Sequence, residues 1–168
     1  MSEIVDMCMR HKILTYNFEL NIDRWNDFNE DLRKIVSQEW KMIKYLNEDG
    51  TQLNMEIEKV PDNMGGVYIF LVKPEIIPQV HLYIMYIGRA RKRNDYSLRK
   101  RCKDYFRDNR PKIATMRELW GPYLYFRYLE LPDDETIVAV ERELLRVIIP
   151  PCNSQIPDYH EMPTKAAF

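Results

Sequence analysis

Val67-Tyr68-Ile69-Phe70-Leu71-Val72 and Leu82-Tyr83-Ile84-Met85-Tyr86-Ile87 set the architecture: both are continuous apolar runs, rich in β-branched and aromatic residues and bounded by glycine or proline. Each is too short for a helix and reads as a buried strand. Lys73 to Gln79, between them, carries Pro74 and Pro78, which suits a hairpin loop better than a tight turn. Downstream, Ser97 caps a helix running to about Asp108, and Pro111 opens a second that ends near Trp120-Gly121-Pro122. Tyr123 to Leu131 alternates aromatic and polar residues as a third strand. Asp133 or Asp134 then starts a helix that reaches Ile149 and stops at Pro150-Pro151. The order is strand, strand, helix, helix, strand, helix.

Upstream of this block, Trp25, Phe28, Leu32, Ile35, Val36, Trp40 and Ile43 recur at close to helical spacing, so Ile22 to Leu46 reads as one amphipathic helix with Asp23 as its N-cap. Asn47-Glu48-Asp49-Gly50 is a turn cluster, and the polar stretch to Asn63 reads as a short linker or weak strand. The expected organisation is an N-terminal helical extension over 1–60, a domain over 61–156 and a loosely ordered tail over 157–168.

The chain has 168 residues, enough for one domain with a real core plus an appendage. Hydrophobic residues at 45% and charged residues at 30% exclude a disordered chain. No signal-peptide pattern opens the sequence and no apolar run approaches a membrane span, so the expectation is a cytoplasmic protein without a membrane partner. Cys8, Cys102 and Cys152 are far apart and odd in number, which fits buried free thiols and neither a disulfide framework nor a paired-cysteine zinc site. A net charge of −1 does not favour nucleic acid, but its distribution is uneven. Arg89 to Lys112 holds about eleven Lys or Arg against about three Asp or Glu, which is either a solvated basic face or a phosphate-binding one.

On the last helix, Ile137, Val140, Leu144 and Ile148 define an apolar stripe, and Glu141 falls inside it while Arg142, Glu143 and Arg146 fall outside. A core-facing carboxylate is costly unless neutralised, so Glu141 serves either a metal or catalytic role or a buried ion pair with an arginine. Arg101 lies beside the stripe of Leu98, Cys102 and Tyr105, whereas Arg99, Lys103 and Arg107 face away. A fixed guanidinium there suits neutralisation of a phosphate in phosphoryl transfer; the alternative is a solvated surface charge. Tyr68 and Tyr86 adjoin glycine motifs, Gly66-Val67-Tyr68 and Tyr86-Ile87-Gly88. A phenol aided by a nearby cation can pass a proton to or from a water, though either tyrosine could equally be a plain sheet residue. Gly88 reads as a strand end that lets backbone approach a phosphate.

Gly66-Val67-Tyr68, Tyr86-Ile87-Gly88-Arg89-Ala90, Leu98-Arg99-Lys100-Arg101 running into Tyr105-Phe106, then Glu141 and Asn153 resemble, in that order, the GIY-YIG nuclease superfamily. The resemblance covers Gly66 to Asn153 and is closest to the N-terminal nuclease domain of the bacterial excision-repair incision subunit. It implies an α+β fold, a small antiparallel three-stranded sheet flanked by helices, and a metal-dependent DNA endonuclease. It further implies Tyr68, Tyr86, Arg101 and Glu141 as catalytic residues, Glu141 being the sole carboxylate on Mg2+ (or Mn2+). Arg89 would hold a phosphate, Asn153 would brace the site, and Arg91, Lys92, Arg93, Lys100 and Tyr105 join them as expected contacts to DNA. The sequence departs from the pattern in Val67, in a longer loop between the tyrosine motifs and in the added Arg91-Lys92-Arg93-Asn94-Asp95. The acidic N-terminal segment is poorly charged for phosphate, which leaves packing on the core, or homodimer or protein-partner contacts, as its expected use.

Overall fold

The structure, a computed structural model, describes residues 16–78, 80, 82–91 and 96–157. The order of elements is β1 (Glu19–Leu20), α1 (Ile22–Asn26), α2 (Glu30–Val36), β2 (Lys41–Lys44), β3 (Gly65–Val72), β4 (Tyr83–Ala90), α3 (Leu98–Asp104), α4 (Pro111–Trp120), β5 (Leu124–Leu131), α5 (Asp134–Val147) and β6 (Ile148–Ile149). Short 3-10 turns cover Met55–Lys59, Tyr105–Arg107 and Gly121–Tyr123. The class is α+β, as expected. Among the described residues no helix is long and apolar enough to cross a membrane.

The main sheet is antiparallel with order β2-β5-β3-β4, so it has four strands and not the expected three. The extra strand comes from the segment read as one long helix. The Asn21 and Asn29 side chains accept from backbone N–H groups two or three residues ahead, cutting that segment into two short capped helices. Beyond α2 the period changes from helical to alternating, and Ile43 and Tyr45 point into the core beside exposed Lys41 and Met42. The Trp40 indole Nε1 donates to the Val36 carbonyl (2.9 Å) and ties the start of this strand to the end of α2. Ile43, Tyr45, Leu46, Ile57 and Val60 share a core cluster with Tyr68, Phe70 and Phe126, so the expected division at residue 60 does not coincide with a change in packing. The tail expected over 157–168 lies, beyond Pro157, outside the described residues, as does Cys8; Cys102 and Cys152 are buried free thiols.

Two cores sandwich the sheet. One face carries Tyr68, Phe70, Phe126 and Tyr128 against Leu98, Cys102 and Tyr105 and against Ile113 and Met116 of α4. The other carries Val67, Ile87, Leu129 and Leu131 against Ile137, Val140 and Leu145 of α5. Asp133 caps α5, accepting from the Thr136 N–H at 2.8 Å. That helix ends at Val147 and not at Ile149, because Ile148 and Ile149 pair with Leu20 and Glu19 as a two-stranded ribbon.

Two glycines are required by close approach. A Cβ on Gly66 would sit 2.1 Å from the Leu129 carbonyl oxygen of the neighbouring strand, which is backbone and cannot step aside. Gly66→Ala is therefore expected to cost more than the roughly 1–3 kcal/mol of ordinary overpacking, measured as a drop in denaturant midpoint; an unchanged midpoint would contradict the register. Gly88 is not the strand end expected from sequence. It lies inside β4, opposite Tyr68, and a Cβ there would meet the Tyr68 hydroxyl at 2.6 Å.

Candidate active site

The pleat sends Tyr68 and its neighbour in register to one face of the sheet and Arg89, paired with Val67, to the other. They meet at β4 because it is the outer strand and because Gly88 leaves room for the Tyr68 ring to lie across it. The result is an open cavity of about 390 Å³ lined by Tyr68, Tyr86, Arg89, Arg91, Tyr96, Arg101 and Glu141. Chain segments separated by up to 73 residues thus deliver every one of the expected catalytic side chains to one depression.

Glu141 leaves α5 towards the sheet and is only 9% exposed. Its carboxylate accepts from the Arg89 guanidinium in a tight ion pair. This is the ion-pair alternative of the sequence reading, and it supplies the counter-charge that burial demands. The stripe around Glu141 is Ile137, Val140 and Leu145, with Leu144 only partly buried.

Arg101 reaches in from α3. Its Nε donates to the Tyr68 hydroxyl at 3.3 Å and its Nη2 to the Tyr105 hydroxyl at 3.5 Å, while its guanidinium lies 5.0 Å from the centre of the Tyr105 ring. The two phenols are themselves hydrogen-bonded at 2.8 Å. Burial works against the charge of Arg101, but Tyr68 and Tyr105 outweigh it and hold the guanidinium above its ordinary value. It is a fixed cation facing the cavity. Burial, reinforced by Tyr105 and Tyr86 and opposed by Arg101, holds the Tyr68 phenol well above its usual range. Burial followed by Tyr105 does the same for Tyr86, with Arg110 opposing. Both tyrosines are therefore neutral near pH 7.

The remaining expected residues fall into three groups. Arg91 lines the cavity, and Lys100 is exposed with its ammonium 5.5 Å from the centre of the Tyr96 ring. Asn153 spends its side chain on β4: its Oδ1 accepts from Ile87 N at 3.0 Å and its Nδ2 donates to Ile87 O at 2.8 Å. Each polar atom thus makes one bond to the outer edge of the strand, which Asn153 braces. Lys92 and Arg93 lie outside the described residues.

Two features were not legible in the sequence. Arg110, forked onto Asp108 with contacts of 2.7 to 3.1 Å, lies 6.0 Å from the centre of the Tyr86 ring and 5.7 Å from that of Tyr105. Nothing in its helix-start position signals a partner 24 residues away. Arg99, expected to face away from the structure, donates to the carbonyls of Val60 (2.6 Å) and Glu58 (2.7 Å) and ties the 3-10 turn to α3. Among the described residues no three His, Cys, Asp or Glu side chains come together to hold a metal. Among the described residues Glu141 is the one carboxylate that lines the cavity.

No family model, no curated protein and no solved structure matches this chain.

Proposed function

We propose that this chain is a divalent-metal-dependent DNA endonuclease that hydrolyses phosphodiester bonds by attack of a water. The observation that carries the reading is the convergence of Tyr68, Tyr86, Arg101 and Glu141 on one open cavity whose lining, among the described residues, holds three guanidiniums against one carboxylate. Such a depression is built for an anion, and a phosphodiester is the anion that the resemblance to GIY-YIG nucleases implies. Arg101 holds the scissile phosphate and neutralises charge that builds on it. Tyr68 and Tyr86 orient the water through their hydroxyls, with Arg101 and Arg110 beside them. Tyr105 fixes the Tyr68 hydroxyl and the Arg101 fork. Glu141 is the residue that would hold Mg2+ or Mn2+, which when bound supplies Lewis-acid stabilisation of the phosphate and the leaving oxygen.

Plasmid, single-stranded and branched DNA, each incubated with magnesium or manganese, test the reading; metal-dependent strand scission supports it. A second reading, a module that grips nucleic acid without cutting it, is favoured by the Arg89–Glu141 pair, which neutralises internally the one carboxylate that lines the cavity among the described residues. Both readings share one expectation. Binding should weaken steeply with salt, and replacing Lys92 and Arg93 together by alanine should flatten the slope by about one to two units. A slope that stays the same removes this segment from the DNA contact.

A further inference from the structure

Among the described residues Glu141 is the one carboxylate of the cavity, and its bonded partner there is Arg89. The two ends of this pair are unequal. The Glu141 side chain is 12% exposed and is held by the packed stripe of α5, whereas the Arg89 side chain is 36% exposed and opens onto the cavity. Arg89 also has like charges for company, since Arg91 and Arg101 line the same space. One end is fixed and one can leave.

What each end wants then differs. A carboxylate so enclosed keeps its charge only while a cation is against it. A guanidinium at the cavity wall is satisfied equally well by a phosphate, which accepts its donor fork in the same planar geometry as a carboxylate. A divalent cation and Arg89 therefore compete for Glu141, while Glu141 and a phosphodiester compete for Arg89. Entry of either ligand frees the group that the other needs.

We propose that Arg89 is a latch on the cation site: it neutralises Glu141 until a phosphodiester draws its guanidinium away, so that a divalent cation and DNA enter together. This rests on the endonuclease reading of the cavity and adds to it a coupling between the two ligands. By linkage, DNA raises the affinity for the cation by the same factor as the cation raises that for DNA. In the free protein the site is closed to metal by its own arginine.

Manganese binding to the DNA-free protein, read from the loss of the free-ion electron paramagnetic resonance signal, tests the latch without any cleavage step. Wild type should bind weakly. Arg89→Met should bind at least about tenfold more tightly, Arg89→Lys should fall between, and Glu141→Gln should bind no better than background. Thermal melts keep the test valid where Arg89→Met is fragile: in chelator its midpoint should fall below wild type, and manganese should raise it by more than it raises wild type. With duplex DNA added, and Glu141→Gln on the same DNA as background, wild type should gain manganese affinity and Arg89→Met should gain less. Equal manganese affinity in wild type and Arg89→Met, or a loss of stability in that variant that manganese does not restore, overturns the latch. If wild type nevertheless cuts plasmid, only the latch has failed; if it neither cuts DNA nor binds manganese with DNA present, the endonuclease reading has failed as well.

Discussion

Glu141→Gln is expected to abolish DNA cleavage at every magnesium or manganese concentration, a loss of at least about a hundred-fold, while leaving DNA binding intact. Glutamine keeps the size and hydrogen-bonding capacity of the side chain but not the charge that attracts a hard cation. The ion pair with Arg89 determines what the same change does to stability. Removing one partner of a fully buried pair typically costs roughly 3–5 kcal/mol because the other is left charged and dry. Arg89, however, is more than a third exposed and turns to solvent, so Glu141→Gln should cost well under that figure. The reciprocal change strands the more deeply buried member, and Arg89→Ala should be the more destabilising of the two in chelator. Cleavage and chelator melts on both variants check this. A catalytic Glu141 gives lost cleavage; a merely structural one gives retained cleavage.

Arg101→Ala is the second large effect. Its guanidinium is held in place by the Tyr68 and Tyr105 hydroxyls and by the ring of Tyr105, so it is oriented before substrate arrives. Loss of such a transition-state cation costs on the order of 3 kcal/mol, or about a hundred-fold or more in rate. Arg101→Lys should restore little, because an ammonium on a flexible stem cannot span two hydroxyls and a phosphate as a planar fork does. Lys100→Ala is the matched control, since Lys100 is exposed and bonds neither hydroxyl. Arg99→Ala would not serve: it breaks the ties to Val60 and Glu58 and acts through folding. Equal losses in the Arg101 and Lys100 variants would reduce α3 to a general charge patch.

The parts of the fold legible in the sequence are those whose pattern is local. Apolar runs closed by proline or glycine mark β3 and β4, and Ser97, Pro111 and Asp133 mark the starts of three helices, because caps and breakers act within one turn of chain. Strand β2 was hidden because Trp40 and Ile43 happen to continue the helical spacing of Leu32, Ile35 and Val36, and only pairing with β5 decides otherwise. The site shows the same division. Helical projection places Glu141 inwards and Arg101 beside the core, and both are found there. Which arginine meets Glu141 depends on a contact across 52 residues, and the role of Gly88 depends on a ring from the neighbouring strand. Neither is written in any window of sequence.

The endonuclease reading stands or falls on one comparison: supercoiled plasmid, single-stranded and branched DNA, incubated with wild type, Glu141→Gln and Arg101→Ala, in magnesium, in manganese and in chelator. Wild type should cut at least one substrate, only with metal present, and neither variant should cut any. Cleavage that persists in chelator or is undiminished in Glu141→Gln, or the absence of cleavage by wild type on every substrate, would contradict it.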